Sequence, residues 1–260
     1  MLSTENLTIR FGGHVAVNAV SCSFQPGTLT AIVGPNGAGK TTYFNLISGQ
    51  LKATAGSVKL KGRDLSGLPA SARTRAGLGR AFQLTNLFPH LTVLENVRLA
   101  VQAAHAGPHR RGLNLWGIWS DYKALTQRAD ALLVDTNLQS RAQDMVASLP
   151  HGDQRKLEVA LLMALEPEVF MFDEPTAGMN AAEAPVILDL IRKLKQDKSK
   201  TILLVEHKMD VVRELADRII VLHNGTLVAD GEPAEVIASP VVQEAYLGVA
   251  KDKDHSQEAV

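Results

Sequence analysis

The sequence predicts an α/β fold, because short apolar runs alternate along it with stretches of helical periodicity. Four apolar runs have the length and composition of buried strands, at residues 29–33, 169–172, 201–205 and 219–222. Helical patterns follow or separate them at 39–48, 154–165, 182–195 and 209–216. This alternation is typical of a largely parallel sheet covered by helices.

Three further segments have the pattern of half-exposed strands, at residues 2–10, 57–61 and 226–229. Gly, Asn and Asp bound them, and we expect them to form an antiparallel sheet beside the parallel one. Between residues 84 and 149 the chain changes to alanine-rich amphipathic helix patterns. This change predicts a helical insert in the α/β core.

The composition excludes several classes of function. The chain has 260 residues with 27 Lys+Arg and 27 Asp+Glu, so no net positive field favours nucleic acid, and we expect no nucleic-acid partner. Cys22 is the only cysteine, which rules out an intramolecular disulfide and a multi-thiolate metal site. No apolar run reaches the roughly 18 residues of a spanning helix, and the first residues lack the pattern of a secretory leader. We therefore expect a cytoplasmic protein, with any membrane crossed by another chain.

A phosphate-binding loop is indicated by Gly34-Pro-Asn-Gly-Ala-Gly-Lys-Thr41, which matches G-x-x-x-x-G-K-[ST] between a buried strand and a helix. Its glycines allow backbone N–H groups to turn toward phosphates, while Lys40 reaches the β- and γ-phosphates and the Thr41 hydroxyl ligates Mg²⁺. The predicted nucleotide-binding residues of this loop are Gly34, Pro35, Asn36, Gly37, Ala38, Gly39, Lys40, Thr41 and Thr42.

Two carboxylates follow the apolar run 169–172, where a nucleotide hydrolase needs them. We predict that Asp173 holds Mg²⁺, usually through water, and that Glu174 is the general base for the water that attacks the γ-phosphate. Alone, this pair is equally consistent with a solvated acidic turn after a strand. The phosphate loop upstream favours the catalytic interpretation.

Residues 149–154, Leu-Pro-His-Gly-Asp-Gln, resemble the signature sequence of ATP-binding cassette (ABC) ATPases, with Pro150, His151 and Asp153 in place of Ser, Gly and Gln. The resemblance implies that this signature segment faces the γ-phosphate held by a second subunit, where the helix dipole favours an anion. Pro150 has no hydroxyl, so we expect the contacts to rest on Gly152 and neighbouring backbone N–H groups. The residues concerned are Leu149, Pro150, His151, Gly152, Asp153 and Gln154.

Other landmarks of the same family occur in order. The resemblance assigns Gln83 to Mg²⁺ or the lytic water, His207 to the γ-phosphate and Phe11 to stacking on adenine. Taken singly, His207 and Phe11 are more typical of structural residues, but the ordered set favours the family interpretation. The family's D-loop is matched by Ala177, Gly178, Met179 and Asn180, with Asn180 where many relatives carry Asp.

Within that family the chain is most similar to the longer of the two ATPase types of branched-chain amino acid importers. The motifs that carry this similarity are Arg10-Phe-Gly-Gly13, Phe82-Gln-Leu84, residues 86–97, Gly152-Asp-Gln-Arg155, Ala177-Gly-Met-Asn180 and Ala245-Tyr-Leu-Gly248. Importers of urea and short amides and the lipopolysaccharide-export ATPase share much of the pattern, and they remain alternatives.

The resemblance implies the P-loop NTPase fold of ABC ATPases: a RecA-like mixed or parallel sheet core, an N-terminal antiparallel β subdomain and a helical signature subdomain. We expect one domain over residues 1–250, with its core at about 1–83 and 155–235 and its helical subdomain at about 84–154. Residues 251–260 are polar and aperiodic, and we expect a disordered tail there.

The implied function is that of an ATP-binding and ATP-hydrolysing importer subunit with ATP and Mg²⁺ as cofactors, peripheral on the cytoplasmic face of the inner membrane. Its partners would be integral permease subunits, a second ABC ATPase subunit and, indirectly, a solute-binding protein. A heterodimer of two different cassettes is favoured over a homodimer. Residues 107–119, with two Trp and an Arg pair, indicate either a permease- or membrane-docking surface or a surface helix held by Trp packing.

Two alternatives from other classes fit the sequence less well. Soluble cassette ATPases that act on DNA or ribosomes usually carry two cassettes, coiled-coil arms or basic linkers, and this sequence has none of these. A guanine-nucleotide switch needs an Asn-Lys-x-Asp motif, which the sequence lacks. Both comparisons favour the importer.

Overall fold

The computed structural model describes residues 1–81, 87–105, 123–180, 183–240 and 242–243. Its strands are β1 (Leu2–Phe11), β2 (His14–Phe24), β3 (Leu29–Val33), β4 (Ala55–Leu60), β5 (Arg63–Asp64), β6 (Leu78–Ala81), β7 (Val169–Asp173), β8 (Thr201–Val205), β9 (Arg218–His223) and β10 (Thr226–Gly231). Its helices are α1 (Lys40–Ser48), α2 (Ala70–Arg75), α3 (Val93–His105), α4 (Lys123–Asp135), α5 (His151–Ala164), α6 (Ala184–Gln196), α7 (Met209–Leu215) and α8 (Pro233–Ala238). The predictions for Gln83, for residues 107–119 and for the tail 251–260 lie outside the described residues.

A six-stranded sheet in the order β10-β9-β3-β8-β7-β6 forms the centre of the molecule. Five of its strands are parallel, and β10 joins β9 antiparallel at one edge. The strands β3 and β8 are buried at every residue, as their uninterrupted apolar sequences require. The predicted α/β class is therefore confirmed, and all four predicted buried strands belong to this sheet.

A second sheet is antiparallel, with the order β2-β1-β4-β5. Two of the three predicted half-exposed strands, β1 and β4, lie in it. The placement of residues 226–229 in the same sheet was wrong, because β10 instead pairs with β9 in the central sheet. The reason is local: residues 224 and 225 are Asn-Gly with positive φ, which fold the chain into a hairpin directly after β9.

Helix α1 packs between the two sheets and fixes the segment that precedes it. Its buried side chains Tyr43, Phe44 and Ile47 belong to one apolar cluster with residues of both sheets. The Tyr43 hydroxyl is 2.8 Å from Thr4 Oγ1 in β1, so the one buried polar group of this ring has a partner. The chain between β3 and α1 is thereby held at the carboxyl edge of the central sheet.

Helices α3, α4 and α5 pack together as a separate helical group, through residues that include Val97, Leu132 and Leu157. Thr92 and Glu95 form a capping box before α3: the Thr92 N–H donates to Glu95 Oε2 at 2.7 Å, and the Glu95 N–H donates to Thr92 Oγ1 at 3.2 Å. Helices α3 and α4 lie within residues 84–149, for which the sequence predicts helical patterns. The subdomain limits stay a prediction, since α5 also packs in one cluster with Phe170 of β7.

Over the part of the chain that the structure describes, no helix has both the length and the apolar composition that crossing a membrane requires.

Candidate functional site

The phosphate loop connects β3 to α1, as predicted, and its glycines are required by close backbone approaches. A Cβ at Gly34 would lie 2.1 Å from the carbonyl oxygen of Leu222, and one at Gly39 would lie 2.5 Å from that of Ala16. Gly39 also has a φ of +95°, which L side chains rarely adopt. The neighbouring strands β9 and β2 therefore dictate glycine at these two positions.

Lys40 is the first residue of α1 and is nearly completely buried. Its Nζ donates to the carbonyl oxygens of Gly34 at 2.7 Å and Pro35 at 3.0 Å, which curls the side chain back over the loop. Burial lowers the pKa of the Lys40 ammonium, while the charges of Glu174 and Asp173 act in the opposite direction. The charges that oppose the shift belong to the predicted Mg²⁺ ligand, Asp173, and to the predicted general base, Glu174.

Asp173 ends β7 and is paired with an arginine. Arg80 Nη2 of β6 donates to Asp173 Oδ2 at 2.8 Å. Burial raises the pKa of the Asp173 carboxyl, and the guanidinium of Arg80 opposes that shift. Asp173 and the phosphate loop lie at the same edge of the sheet, because β7 and β3 are parallel and β8 alone separates them.

Glu174 has an unusual backbone conformation for a residue with a side chain, with φ at +48°. Its N–H donates to the carbonyl oxygen of Val205 at 2.9 Å, which ties the turn after β7 to the end of β8. The carboxylate itself is 42% exposed. Non-glycine residues in this conformation cluster at functional sites, which agrees with the predicted role of Glu174.

His207 lies at the same edge of the sheet, two residues beyond the end of β8. Its Nδ1 is 3.8 Å from Glu174 Oε1 and 3.5 Å from Glu206 Oε1. Glu206 is buried, and its Oε1 also accepts the backbone N–H groups of His207 at 2.9 Å and Lys208 at 3.0 Å. The turn that carries His207 is therefore fixed by a carboxylate.

The signature segment begins α5, with Pro150 as the N-cap and Gly152 buried in the first turn. Gly152 is closely approached: a Cβ there would lie 2.3 Å from the carboxylate carbon of Glu183. Gln154 Nε2 donates to the Leu149 carbonyl oxygen at 3.0 Å, and Asp153 accepts from Lys156 Nζ at 2.7 Å. These contacts order the start of the helix without any side-chain cap at its N-terminus.

The D-loop residues lie against the signature segment of the same chain. The position of a Cβ at Gly178 would be 3.6 Å from Cε1 of His151. The N–H of Ala177 donates to the Glu174 carbonyl oxygen at 3.0 Å, and Asn180 Oδ1 accepts the N–H of Glu183 at 2.9 Å. Met179 follows Gly178 and packs against the apolar cluster of the helical group.

Phe11 is the predicted residue that stands apart from this group. It ends β1, pairs in register with His14 across a two-residue turn, and is largely exposed. The same hairpin reaches the phosphate loop through Ala16, whose carbonyl oxygen bounds Gly39. An exposed ring at that tip remains available for stacking, which is the role the resemblance assigns to it.

Two residues of this site were not singled out from the sequence. Arg80 precedes Gln83 by three residues, and Glu206 directly precedes His207. A charged residue inside a short strand before the Gln83 motif, and a carboxylate directly after an apolar strand, were the available signals. Neither reveals its partner, because the contacts depend on which strands become neighbours.

The oxygen donors at the site fit a magnesium ion. Thr41 supplies a hydroxyl in the first turn of α1, and Asp173 supplies a carboxylate at the end of β7. Hydroxyl and carboxylate oxygens are the ligands that this hard cation prefers. The ion pair with Arg80 uses Oδ2 of Asp173, so the donor chemistry is compatible with a second contact through Oδ1.

Comparison with known families gives two matches. Residues 17–177 match the family model described as ABC transporter, and residues 226–252 match one described as branched-chain amino acid ATP-binding cassette transporter. The high-affinity branched-chain amino acid transport ATP-binding protein LivG of Salmonella typhimurium is 39% identical over 251 residues, which cover 96% of this chain and 98% of LivG.

Solved structures agree with the sequence matches. An ATP-binding cassette of an ABC transporter in its ADP conformation superposes with a TM-score of 0.78 and 29% identity, covering 95% of this chain and 98% of that one. A dimeric ATP-binding cassette in a post-hydrolysis state, bound to ADP and Pi, gives a TM-score of 0.75 and 27% identity, covering 90% of this chain and 99% of that one. The fold of the two sheets and the helical group is therefore that of a known cassette.

Proposed function

This chain belongs to the ABC transporter family of ATP-binding proteins, and we propose that it powers the import of branched-chain amino acids through permease partners. Members of this family are the ATP-hydrolysing subunits of transporters, so the chain is an ATPase. One observation carries the assignment of the reaction site: Lys40, Asp173, Glu174 and His207 all follow or end parallel strands at the carboxyl edge of the central sheet.

The phosphates of ATP bind to the backbone N–H groups of the loop between β3 and α1 and to Lys40. Reaching the β- and γ-phosphates requires Lys40 Nζ to exchange its two loop carbonyls for phosphate oxygens. Thr41 and Asp173 would hold Mg²⁺, which would neutralise charge on the phosphates. Phe11 stacks on the adenine ring from the β1–β2 hairpin.

Hydrolysis depends on Glu174 and His207. Glu174 accepts a proton from the attacking water through its half-exposed carboxylate, the general-base role of a group within reach of that water. His207 contacts the γ-phosphate. Glu206 orients it by accepting the backbone N–H groups of His207 and Lys208. The resemblance assigns Gln83, which lies outside the described residues, to Mg²⁺ or to the lytic water.

A second cassette subunit supplies the other face of the nucleotide site. The signature segment forms the N-terminus of α5, where backbone N–H groups and the helix dipole attract an anion. The signature segment also lies against the D-loop of the same chain, with His151 Cε1 3.6 Å from the position of a Cβ at Gly178. The dimeric cassette with 27% identity supports this arrangement, and we favour a heterodimer with a different cassette.

The contact with the permease involves residues 87–97 at the start of the helical group. Phe88 and Met145 expose large apolar side chains there. Their segments are joined, since the N–H of Val146 donates to the Leu91 carbonyl oxygen at 3.1 Å and that of Ala147 to the Pro89 carbonyl oxygen at 3.0 Å. Apolar and aromatic side chains are enriched at such contacts. Binding to the permease through this surface holds the chain at the cytoplasmic face of the membrane.

The cargo assignment rests on the relatives and on the carboxyl-terminal match at residues 226–252. Cargo itself is selected by a solute-binding protein and by the permease, which are other chains. Urea or short amides, and lipopolysaccharide, are the transported molecules of the alternative systems.

Affinity purification of the full chain from detergent-solubilised membranes of its own source tests the assembly. We expect multi-spanning permeases and a second cassette to co-purify. Recovery of ribosomes or DNA-repair proteins would overturn the transport assignment while leaving the ATPase intact.

Uptake of radiolabelled leucine by cells that lack this chain tests the cargo. Uptake should be restored by the natural chain and not by Glu174→Gln. Restored uptake of urea without leucine would favour the amide importer instead.

A further inference from the structure

Arg80 is the residue whose contacts the family assignment leaves unexplained. It lies in β6, the edge strand of the central sheet, opposite Met171 in the parallel pairing with β7. Because side chains alternate along a strand, Arg80 shares a face with Asp173, two residues beyond Met171. Its guanidinium reaches that carboxylate, with Nη2 2.8 Å from Asp173 Oδ2.

The guanidinium is held from its other side by helix α1. Nη1 donates to Asn45 Oδ1 at 2.6 Å and to Ser48 Oγ at 2.8 Å, one turn apart on the helix. The ring of Phe44 lies under the group, with its centroid 5.0 Å from Cζ. The same helix begins with Lys40 and Thr41, so Arg80 connects the phosphate-binding helix directly to the carboxylate of β7.

The ion pair is buried on both sides, with the Arg80 and Asp173 side chains 7% and 10% exposed. A carboxylate removed from water to this extent is costly unless it is paired and hydrogen-bonded. The planar, multiply anchored guanidinium also fixes the direction in which the carboxylate points, which a flexible ammonium does not.

We propose that Arg80 is a positioning residue that holds the Asp173 carboxylate so that its other oxygen, Oδ1, faces the Mg²⁺ of bound nucleotide. The proposal rests on the proposed function, because it assumes that Asp173 is a metal ligand. The α1 contacts of Arg80 set the separation between Asp173 and the phosphate loop. The residue acts on the reaction through Asp173 and touches neither the nucleotide nor the water.

The test measures metal binding rather than turnover. Mn²⁺ serves as the probe, and the loss of its free aqueous electron paramagnetic resonance signal reports binding to the full chain with a non-hydrolysable ATP analogue. Arg80→Met removes the charge at similar length, and we expect Mn²⁺ affinity about tenfold lower, as for other residues that orient a metal ligand. Arg80→Lys retains the positive charge but lacks the planar, forked guanidinium, and we expect Mn²⁺ affinity about threefold lower.

Two further variants separate positioning from general damage. Asn45→Ala removes one α1 anchor and leaves the ion pair intact, so Mn²⁺ affinity should fall in the same direction by less than in Arg80→Met. Arg192→Met removes an exposed arginine of α6 that pairs with Asp189 and Glu214, and Mn²⁺ affinity should stay unchanged. Binding of the analogue in EDTA should be the same in all variants, since the phosphate loop is intact.

Wild-type Mn²⁺ affinity in both Arg80→Lys and Asn45→Ala would overturn the proposal, even if Arg80→Met failed to fold. A natural chain that binds the analogue with no added affinity for Mn²⁺ would instead overturn the metal role of Asp173 in the proposed function. The two failures are therefore distinguished by the natural chain alone.

Discussion

The Nδ1 atom of His207 lies 3.8 Å from Oε1 of Glu174, although the two residues are 33 positions apart in the chain. The pair forms because β7 and β8 are parallel neighbours and both residues follow the carboxyl end of their strand. The N–H of Glu174 donates to the last residue of β8, which fixes the two turns against each other. The carboxylate and the imidazole therefore border one space at the edge of the sheet.

Glu174→Gln tests the general base. Glutamine keeps the size and the hydrogen bonds of the side chain but cannot accept the proton, so ATP hydrolysis should fall by about 100-fold or more while ATP binding is retained. Phosphate release measures the first and titration with a fluorescent ATP analogue the second. Glu168→Gln is the matched control, since Glu168 has the same 42% exposure and pairs with Lys61 away from the site. Full activity in Glu174→Gln would exclude this role.

Glu206→Ala tests the carboxylate that fixes the His207 turn. Its removal leaves the N–H groups of His207 and Lys208 without their acceptor, so the free energy of unfolding should fall by about 1–3 kcal/mol and kcat about tenfold. Glu206→Gln retains an acceptor oxygen and should recover most of both quantities. Urea unfolding and phosphate release give the two readouts. An alanine variant with unchanged kcat would show that His207 needs no such support.

Gly39→Ala tests the close approach at the phosphate loop. Both Gly39 and Gly62 have positive φ, +95° and +79°, but a Cβ at Gly62 meets nothing within 4 Å. Gly62→Ala should therefore lower the free energy of unfolding by only about 1–2 kcal/mol, the cost of placing a side chain in the left-handed backbone conformation. Gly39→Ala should cost more, because its Cβ also overlaps the Ala16 carbonyl oxygen, and it should weaken ATP binding. Urea unfolding compares the two, and equal losses would contradict the overlap.

Pro150→Ser tests how much the signature segment depends on a hydroxyl. The proline is the N-cap of α5 and has an extended backbone, so α5 already begins at the correct place without a side-chain cap. We expect the affinity of the ATP-driven dimer, measured by sedimentation in the Glu174→Gln background, to rise less than tenfold, about 1.4 kcal/mol. Gly152→Ala is the contrasting variant: its methyl group would displace the flexible Glu183 carboxylate, and the added bulk at the start of α5 should weaken the dimer. A tenfold or larger gain in Pro150→Ser would show that the hydroxyl matters.

Cys22 gives a prediction about pH. Burial raises the pKa of its thiol from 9.0 to about 11. The folded chain therefore holds this proton more tightly than the unfolded chain, so the contribution of Cys22 to stability is complete below pH 9 and is lost as pH rises toward 11. Between these values Cys22→Ala should lose less stability than the natural chain, as measured by urea unfolding. Labelling of the native thiol by iodoacetamide at pH 9 should also be slow, and rapid labelling would contradict the burial.

The strands that carry the chemistry were predictable because their signals are local. An apolar run followed by a glycine-rich loop, or by two carboxylates, specifies both the buried strand and the polar turn after it. The predicted runs at 29–33 and 201–205 match β3 and β8 in both bounds. The helix that contains the signature segment begins at His151 rather than at the predicted residue 154, because Pro150 permits helix directly after it.

Other elements were missed because their sequences carry mixed signals. The strand β2 (His14–Phe24) contains polar and small residues in irregular order, and its pairing with β1 includes several register shifts. The strand β6 has only four residues, two of them Gly and Arg, so nothing in its composition marks a strand. Each is a strand because a neighbouring strand supplies its hydrogen-bond partners. The residues of the segment itself do not indicate this pairing.

The sequence alone determined the α/β class, the phosphate loop and the pair Asp173 and Glu174, since each depends on residues adjacent in the chain. Only the tertiary structure decided which side chains meet them. The order of parallel strands brings β6 beside β7 and β8 beside β7, and so places Arg80 on Asp173 and His207 near Glu174. Strand order is set by packing of the whole sheet between its helices, which is a property of distant residues acting together.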